Sequence, residues 1–203
     1  MAGRRALHVL AFVAAAALAA SLAVAARRGR PEPLPELGAL PAFDLIDQHG
    51  RSLTREELAS GPFVADFIFT RCAGVCPGMT ARMGQLDRAL PAAIGLVSFT
   101  VDPEHDTPDV LARYARDFGA SPRWRFASGS RAALHRLATE GFRLAAMEVP
   151  EGQRHGGDGP FLHSAKFVLV DAASRIRGYY DSEDRDDLER LAADARRLLG
   201  TRP

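Results

Sequence analysis

The apolar run Phe63-Val64-Ala65-Asp66-Phe67-Ile68-Phe69-Thr70 leads directly into Arg71-Cys72-Ala73-Gly74-Val75-Cys76-Pro77. The run reads as a buried strand, and a helix is expected from about Pro77 to Leu90. A buried strand that turns at once into a helix commits the chain to a layered fold in which a sheet is covered by helices. The turn also holds the only two cysteines of the chain. Placed four apart, they can project to one side of the new helix. The helix N-terminus favours negative charge, so thiols there are expected to become better thiolates. A thiolate pair supports two chemistries, ligation of soft metals and thiol–disulfide exchange, and the spacing alone leaves both open.

Charge is balanced, with 26 basic against 25 acidic residues. A nucleic-acid binder would need a basic excess to neutralise phosphates, so no nucleic-acid partner is expected. Ala6 to Ala26 carries no charged side chain and is flanked by Arg4, Arg5, Arg27, Arg28 and Arg30. As a helix it would span roughly 30 Å, the thickness of a bilayer core. Residues 1–26 are therefore expected to be a transmembrane anchor or a signal segment cut after Ala23-Val24-Ala25. The span exceeds a signal core of about 7–15 residues, which favours the anchor. Residues 27–39, with Pro31, Pro33 and Pro35, read as an extended linker. Residues 40–200 are left for one domain.

Within that domain, Phe43–Asp47 and Arg51–Leu53 read as a small hairpin, and Thr54–Ala59 as a short helix. Ile94–Val101 is expected to be a central strand. Thr107 is a good N-cap with Pro108 in the first helical position, and Gly119 ends that helix. A strand over Trp124–Ala127, a helix over Arg131–Glu140 and a strand over Arg143–Val149 follow. Pro150–Pro160 reads as a glycine-rich loop. His163–Val170 and Ile176–Tyr180 form a terminal hairpin, and Asp184–Leu199 an amphipathic closing helix. The expected class is α/β, a central mixed sheet flanked by helices, with an N-terminal hairpin and a C-terminal hairpin plus helix.

This order resembles the thioredoxin-like fold, and four blocks narrow the resemblance. Phe67 through Pro77 resembles the C-x3-C-P signature of the Sco (SenC) family of copper chaperones. Val97-Ser98-Phe99-Thr100-Val101-Asp102-Pro103-Glu104-His105-Asp106-Thr107-Pro108 resembles that family's second block. His163-Ser164 before Phe167–Asp171 resembles its third, and Arg175-Ile176-Arg177-Gly178-Tyr179-Tyr180 the hairpin that follows. The resemblance implies copper, as Cu(I) or Cu(II), held by Cys72, Cys76 and His163. It also implies a redox-active Cys72–Cys76 dithiol and a role in delivering copper to the binuclear centre of cytochrome c oxidase. The implied partners are the oxidase copper domain, a second periplasmic copper chaperone or a thioredoxin-like reductant, and the membrane. The implied location is the inner membrane, single-pass with the domain on the periplasmic side, or the periplasm after cleavage. In that setting His163 stands where thioredoxins place a cis-proline.

The residue types fit such a role. Two thiolates hold Cu(I), and an added imidazole also suits Cu(II). Structural zinc would want four protein ligands. Other readings stay open: a membrane-anchored thiol–disulfide oxidoreductase, a redox or copper sensor, or a structural disulfide in an oxidising compartment. His155 is either an auxiliary ligand or a solvated loop residue. Met79 and Met83 could offer thioethers to copper, but their helical spacing marks core. His49, His105 and His135 read as structural or exposed. Asp102 and Asp106 either orient the site or a partner, or serve only turn formation and helix capping.

Overall fold

The computed structural model describes residues 32–144, 147–148, 161–162 and 165–200. In chain order the elements are β1 (Gly38–Ala39), β2 (Asp44–Asp47), β3 (Ser52–Thr54), α1 (Arg55–Leu58), β4 (Phe63–Ile68), α2 (Val75–Ala89), β5 (Gly95–Thr100), α3 (Pro108–Asp117), β6 (Trp124–Ser128), α4 (Arg131–Arg136), β7 (Met147–Glu148), β8 (Phe161–Leu162), β9 (Lys166–Val170), β10 (Arg175–Asp181) and α5 (Arg185–Leu198). Eight strands form one sheet in the order β1-β10-β9-β4-β5-β6-β2-β3. β4, β5 and β6 run parallel, while β9 and β10 on one side and β2 and β3 on the other are antiparallel to their neighbours. This is the mixed central sheet expected from the sequence.

Every residue of β4 is buried, as befits a strand paired on both edges and covered on both faces. Alternation sends Phe63, Ala65 and Phe67 to one face, where they join Val97, Phe99, Ala127, Val168 and Phe142 in one apolar cluster. There Phe67 stacks on Phe99 at 5.2 Å and meets Phe142 edge-on at 5.3 Å. The opposite face receives α2. A Cβ built on Gly84 of this helix would lie 3.7 Å from the ring of Trp124, which in turn stacks on Phe126 at 4.9 Å. Met79 and Met83 are fully buried on α2, so their spacing does mark core.

Arg123 holds the far end of α2. It ion-pairs with Asp87 at 2.8 Å and donates to the backbone carbonyls of Asp87, Leu90, Pro91 and Ile94. The carbonyls of Asp87 and Leu90 belong to the helix C-terminus, where such groups lack intrahelical partners, and those of Pro91 and Ile94 to the chain that follows it. At the N-terminal side the fold takes in residues before Leu40: Leu37 donates to the carbonyl of Ile176, and Glu36 ion-pairs with Arg175.

Several expected boundaries move. α2 starts at Val75, two residues before Pro77, so Cys76 lies inside its first turn. The helix from Arg131 stops being α-helical at Arg136 and widens into a π-helical turn over Leu137–Gly141. Gly141 sits tightly there: a Cβ would come within 3.0 Å of Pro41 and of Leu137. The strand expected from Arg143 does not begin there, because Arg143 adopts φ 54°, a left-handed conformation incompatible with a strand. Among the described residues of that span, Met147–Glu148 forms a strand, paired with Phe161–Leu162 in a separate two-stranded ribbon. The main strand starts at Lys166, not at His163. His155, His163, the loop Pro150–Pro160 and the segment Ala6–Ala26 lie outside the described residues. Among the described residues, no helix is long and apolar enough to cross a membrane.

Phe67 fixes the contact between the central strands and the π-helical turn. Phe67→Ala is expected to cost about 3–5 kcal/mol of stability, read as a lowered urea midpoint with unchanged slope.

Candidate functional site

Cys72 and Cys76 come together at the C-terminal end of β4, where the chain turns into α2. Both are thiols in this structure. Cys72 lies in the turn and is 8% exposed, whereas Cys76 in the first turn of α2 is fully buried. Cys72 is thus the more accessible of two buried thiols. Gly74 is the N-cap, and no side chain caps the helix. Ala73 and Gly74 are exposed and small, and a Cβ on Gly74 would lie 3.9 Å from the Cys72 Sγ, so these two residues add little to the cover over this thiol.

The turn is held by carboxylates from the loop after β5. The fully buried Asp106 accepts hydrogen bonds from the Thr70 amide at 3.1 Å, the Thr70 hydroxyl at 2.5 Å and the Thr100 hydroxyl at 2.6 Å. Asp102 accepts from Arg71 at 2.5 Å, while its own amide donates to the Thr100 hydroxyl at 2.9 Å. The two residues that precede Cys72 are thus each bound to an aspartate more than thirty positions downstream. Turn formation is also real, since the Asp106 amide donates to the Asp102 carbonyl. The two roles that the sequence left as alternatives for Asp102 and Asp106 are both present.

The electrostatics depart from the expectation of two easily formed thiolates. Burial pushes the Cys76 thiol well above its ordinary range. A backbone hydrogen bond from Phe69 opposes this, while the adjoining Cys72 and the charge on Asp66 reinforce it. The helix N-terminus does not offset the loss of water. Asp66 itself is fully buried, and burial raises its carboxyl to about 7. Neither of its oxygens has a hydrogen-bond partner within bonding distance among the described residues; the Ser98 hydroxyl on the neighbouring strand lies near enough to offset a little of the burial. Tyr114 completes the underside of the pair. Its hydroxyl lies 2.8 Å from the Thr80 hydroxyl, which donates to the Cys76 carbonyl at 2.9 Å. Because the Thr80 proton is committed to that carbonyl, Tyr114 is the donor in this pair. Burial raises the Tyr114 pKa as well, with the charges of Cys76, Asp66 and Cys72 acting in the same direction.

The sequence reading did not assign Asp66, Thr80 or Tyr114. The available signal was the one acidic side chain inside an otherwise apolar strand run. His163, the third expected ligand, lies outside the described residues, and among the described residues no group of three or more His, Cys, Asp or Glu gathers in a metal-holding arrangement. His49, His105 and His135 are exposed.

The SCO1/SenC family matches residues 35–200. A SCO1 protein homolog of Bacillus subtilis is 30% identical over 159 residues, covering 76% of this chain and 79% of the relative. Bradyrhizobium japonicum ScoI, solved with copper bound, superposes with a TM-score of 0.66 at 27% identity, over 79% of this chain and 99% of that one. BsSco, described as a member of the Sco family of cytochrome c oxidase assembly proteins with a disulfide switch, gives a TM-score of 0.70 at 28% identity, over 82% of this chain and 97% of its own.

Asp66 makes stability depend on pH. Its folded value lies above the unfolded one of 3.8. As pH rises from about 4 to about 7 the unfolded chain gives up this proton while the folded chain keeps it, so stability falls, by up to roughly 4 kcal/mol, and is level above that range. Asp66→Asn removes the penalty. Urea titrations should show the variant gaining on the wild type at pH 8 and much less at pH 4; an equal difference at both pH values would contradict a buried, proton-holding Asp66.

Proposed function

The chain belongs to the SCO1/SenC family, and on that premise we propose that it is a copper-binding protein that takes up copper at Cys72, Cys76 and His163 and passes it to the binuclear copper centre of cytochrome c oxidase. The observation that carries this reading is the asymmetric cysteine pair, one thiol 8% exposed and the other fully buried, on a turn fixed by Asp102 and Asp106. Copper-bound ScoI of Bradyrhizobium japonicum, alike over most of the chain, supports copper as the cargo. BsSco, described as an oxidase assembly protein, supports the recipient.

The chemistry follows from the residue types. Two thiolates satisfy soft Cu(I), and the imidazole of His163 extends the set toward Cu(II). Cys76 is a poor thiolate on its own, so metal binding, not the helix dipole, removes its proton. Three protein ligands leave room for a partner's ligand to enter, and exchange begins at Cys72, the accessible thiol. Oxidation of the pair to a disulfide takes both sulfurs from the metal, so a thioredoxin-like reductant would have to restore the binding form.

Replacing Cys72 or Cys76 with Ala is expected to abolish tight Cu(I) binding in a competition titration. His163→Ala is expected to weaken Cu(II) more than Cu(I). Undiminished copper stoichiometry in the double cysteine variant would overturn the ligand assignment.

The rival reading is a membrane-anchored thiol–disulfide oxidoreductase, and the observation that favours it is that Cys72 keeps 8% exposure beside its fully buried partner. The two readings separate when insulin reduction and copper transfer to a reduced oxidase copper domain are measured on one sample. Slow insulin reduction with copper transfer is expected; rapid reduction without transfer would move the protein to the oxidoreductase class. For location we propose an inner-membrane anchor at Ala6–Ala26 with the domain in the periplasm. The full-length protein should then resist carbonate extraction, and a mature soluble form starting at Ala26 would identify a cleaved signal instead.

A further inference from the structure

A cleft of about 570 Å³ opens at the end of the sheet opposite the cysteines, where β4, β5 and β6 begin. Its walls are the chain before β4 at Gly61, the chain before β5 at Ala93, and the β2–β3 hairpin with α1. The charged groups within it are largely spoken for. Asp47, buried at the end of β2, holds Arg51 at 2.7 Å and accepts from the backbone amides of His49 and Arg51. Arg123 is bound to Asp87 and to the carbonyls at the end of α2.

Arg125 is the exception. It projects from β6 into the cleft and is half-buried, yet among the described residues its guanidinium makes no hydrogen bond and no ion pair. Burial presses its pKa down, while the charges of Glu57 and Asp47 pull it back and that of Arg51 adds to the strain. A half-buried fork of N–H donors without acceptors is costly unless water or a ligand fills the position. Its planar donors match a carboxylate. Glu57, exposed at the rim, is the second charge near Arg125 that is not offset by an ion pair, although one of its oxygens caps α1 by accepting from the Thr54 amide. Its negative charge disfavours a dianion such as phosphate and favours a ligand with a cationic group a short distance from its carboxylate.

We propose that this cleft is a binding site for a small carboxylate, seated on Arg125 and best occupied by a zwitterion whose ammonium faces Glu57. The volume lies within the range of small-molecule sites, about 300–1,000 Å³. The site is independent of copper, because its residues stand at the other end of the parallel strands from Cys72 and Cys76.

The test uses the full chain, labelled for amide spectra, titrated at constant ionic strength with glycylglycine, acetate and inorganic phosphate. Glycylglycine should shift the amides of Gly61, Gly95 and Arg125 saturably, acetate more weakly, and phosphate least. Arg125→Gln should abolish the shifts, and Arg125→Lys, which keeps the charge and loses the fork, should weaken binding roughly tenfold. Saturation by phosphate in preference to both carboxylates would overturn the assignment. So would shifts that grow linearly without saturating, or that persist in Arg125→Gln. If Arg125→Gln fails to fold, Glu57→Gln decides: it should bring glycylglycine down to the affinity of acetate, and an unchanged preference would overturn the zwitterion.

Discussion

The geometry of the cysteine turn rests on one carboxylate. Asp106, without solvent contact, gathers the Thr70 amide, the Thr70 hydroxyl and the Thr100 hydroxyl. A buried carboxylate is tolerated only when its oxygens are well supplied with donors, and three short bonds supply them. The same contacts fix where β4 ends and how the chain leaves it. Arg71 on Asp102 then fixes the next residue, and Cys72 follows. The cysteine turn is therefore set by the loop after β5 as much as by its own sequence.

Two effects compete at the thiols, and burial decides. A helix N-terminus contributes a partial positive charge, worth about 0.3–1 kcal/mol at exposed positions. Removing a thiolate from water costs more, and Cys76 has no exposure at all. Asp66 adds to the cost from below whenever it is ionised. The pair is thus divided: Cys72 keeps a little exposure, and Cys76 holds its proton until something stronger than a dipole removes it. A metal ion is strong enough. The Tyr114–Thr80–Cys76 chain of hydrogen bonds keeps the buried partner in place meanwhile.

Local patterns made much of this legible before any coordinates. The apolar run of β4, the Thr107-Pro108 helix start and the Gly119 stop are short-range signals, and each stands where the sequence placed it. The thiol energetics were not legible, because burial is a property of the packed sheet and helix and not of the C-x3-C spacing. Asp66 was hidden for a related reason. In the sequence it is one residue of a strand run, and only the pairing of Asp66 with Ser98 under α2 shows that it faces the thiol side of the sheet. The π-helical turn and the left-handed Arg143 also escaped, since helical and strand periodicities pass through them without a break; tertiary contacts of Gly141 with Pro41, and of Arg143 with the Leu37 carbonyl, accompany the change.

Parallel strands explain why the cysteine turn and its support coincide. β4, β5 and β6 all point the same way, so the turn at Thr70–Gly74 and the loop at Val101–Thr107 emerge at one end of the sheet. Residues more than thirty positions apart in the chain become neighbours without any special path. Glu104, in the loop after β5, meets Arg131, just after β6, at that same end. The other end collects the segments that enter the strands, and there the charges are neutralised one by one until, among the described residues, Arg125 and Glu57 are left without ion pairs. The sheet thus keeps a rigid, shared interior between two surfaces that differ in chemistry, sulfur and carboxylate at one end and a guanidinium at the other. Change at one end need not disturb the other, because the β4–β5–β6 register between them is held by continuous backbone pairing from Phe63–Gly95 to Ile68–Thr100.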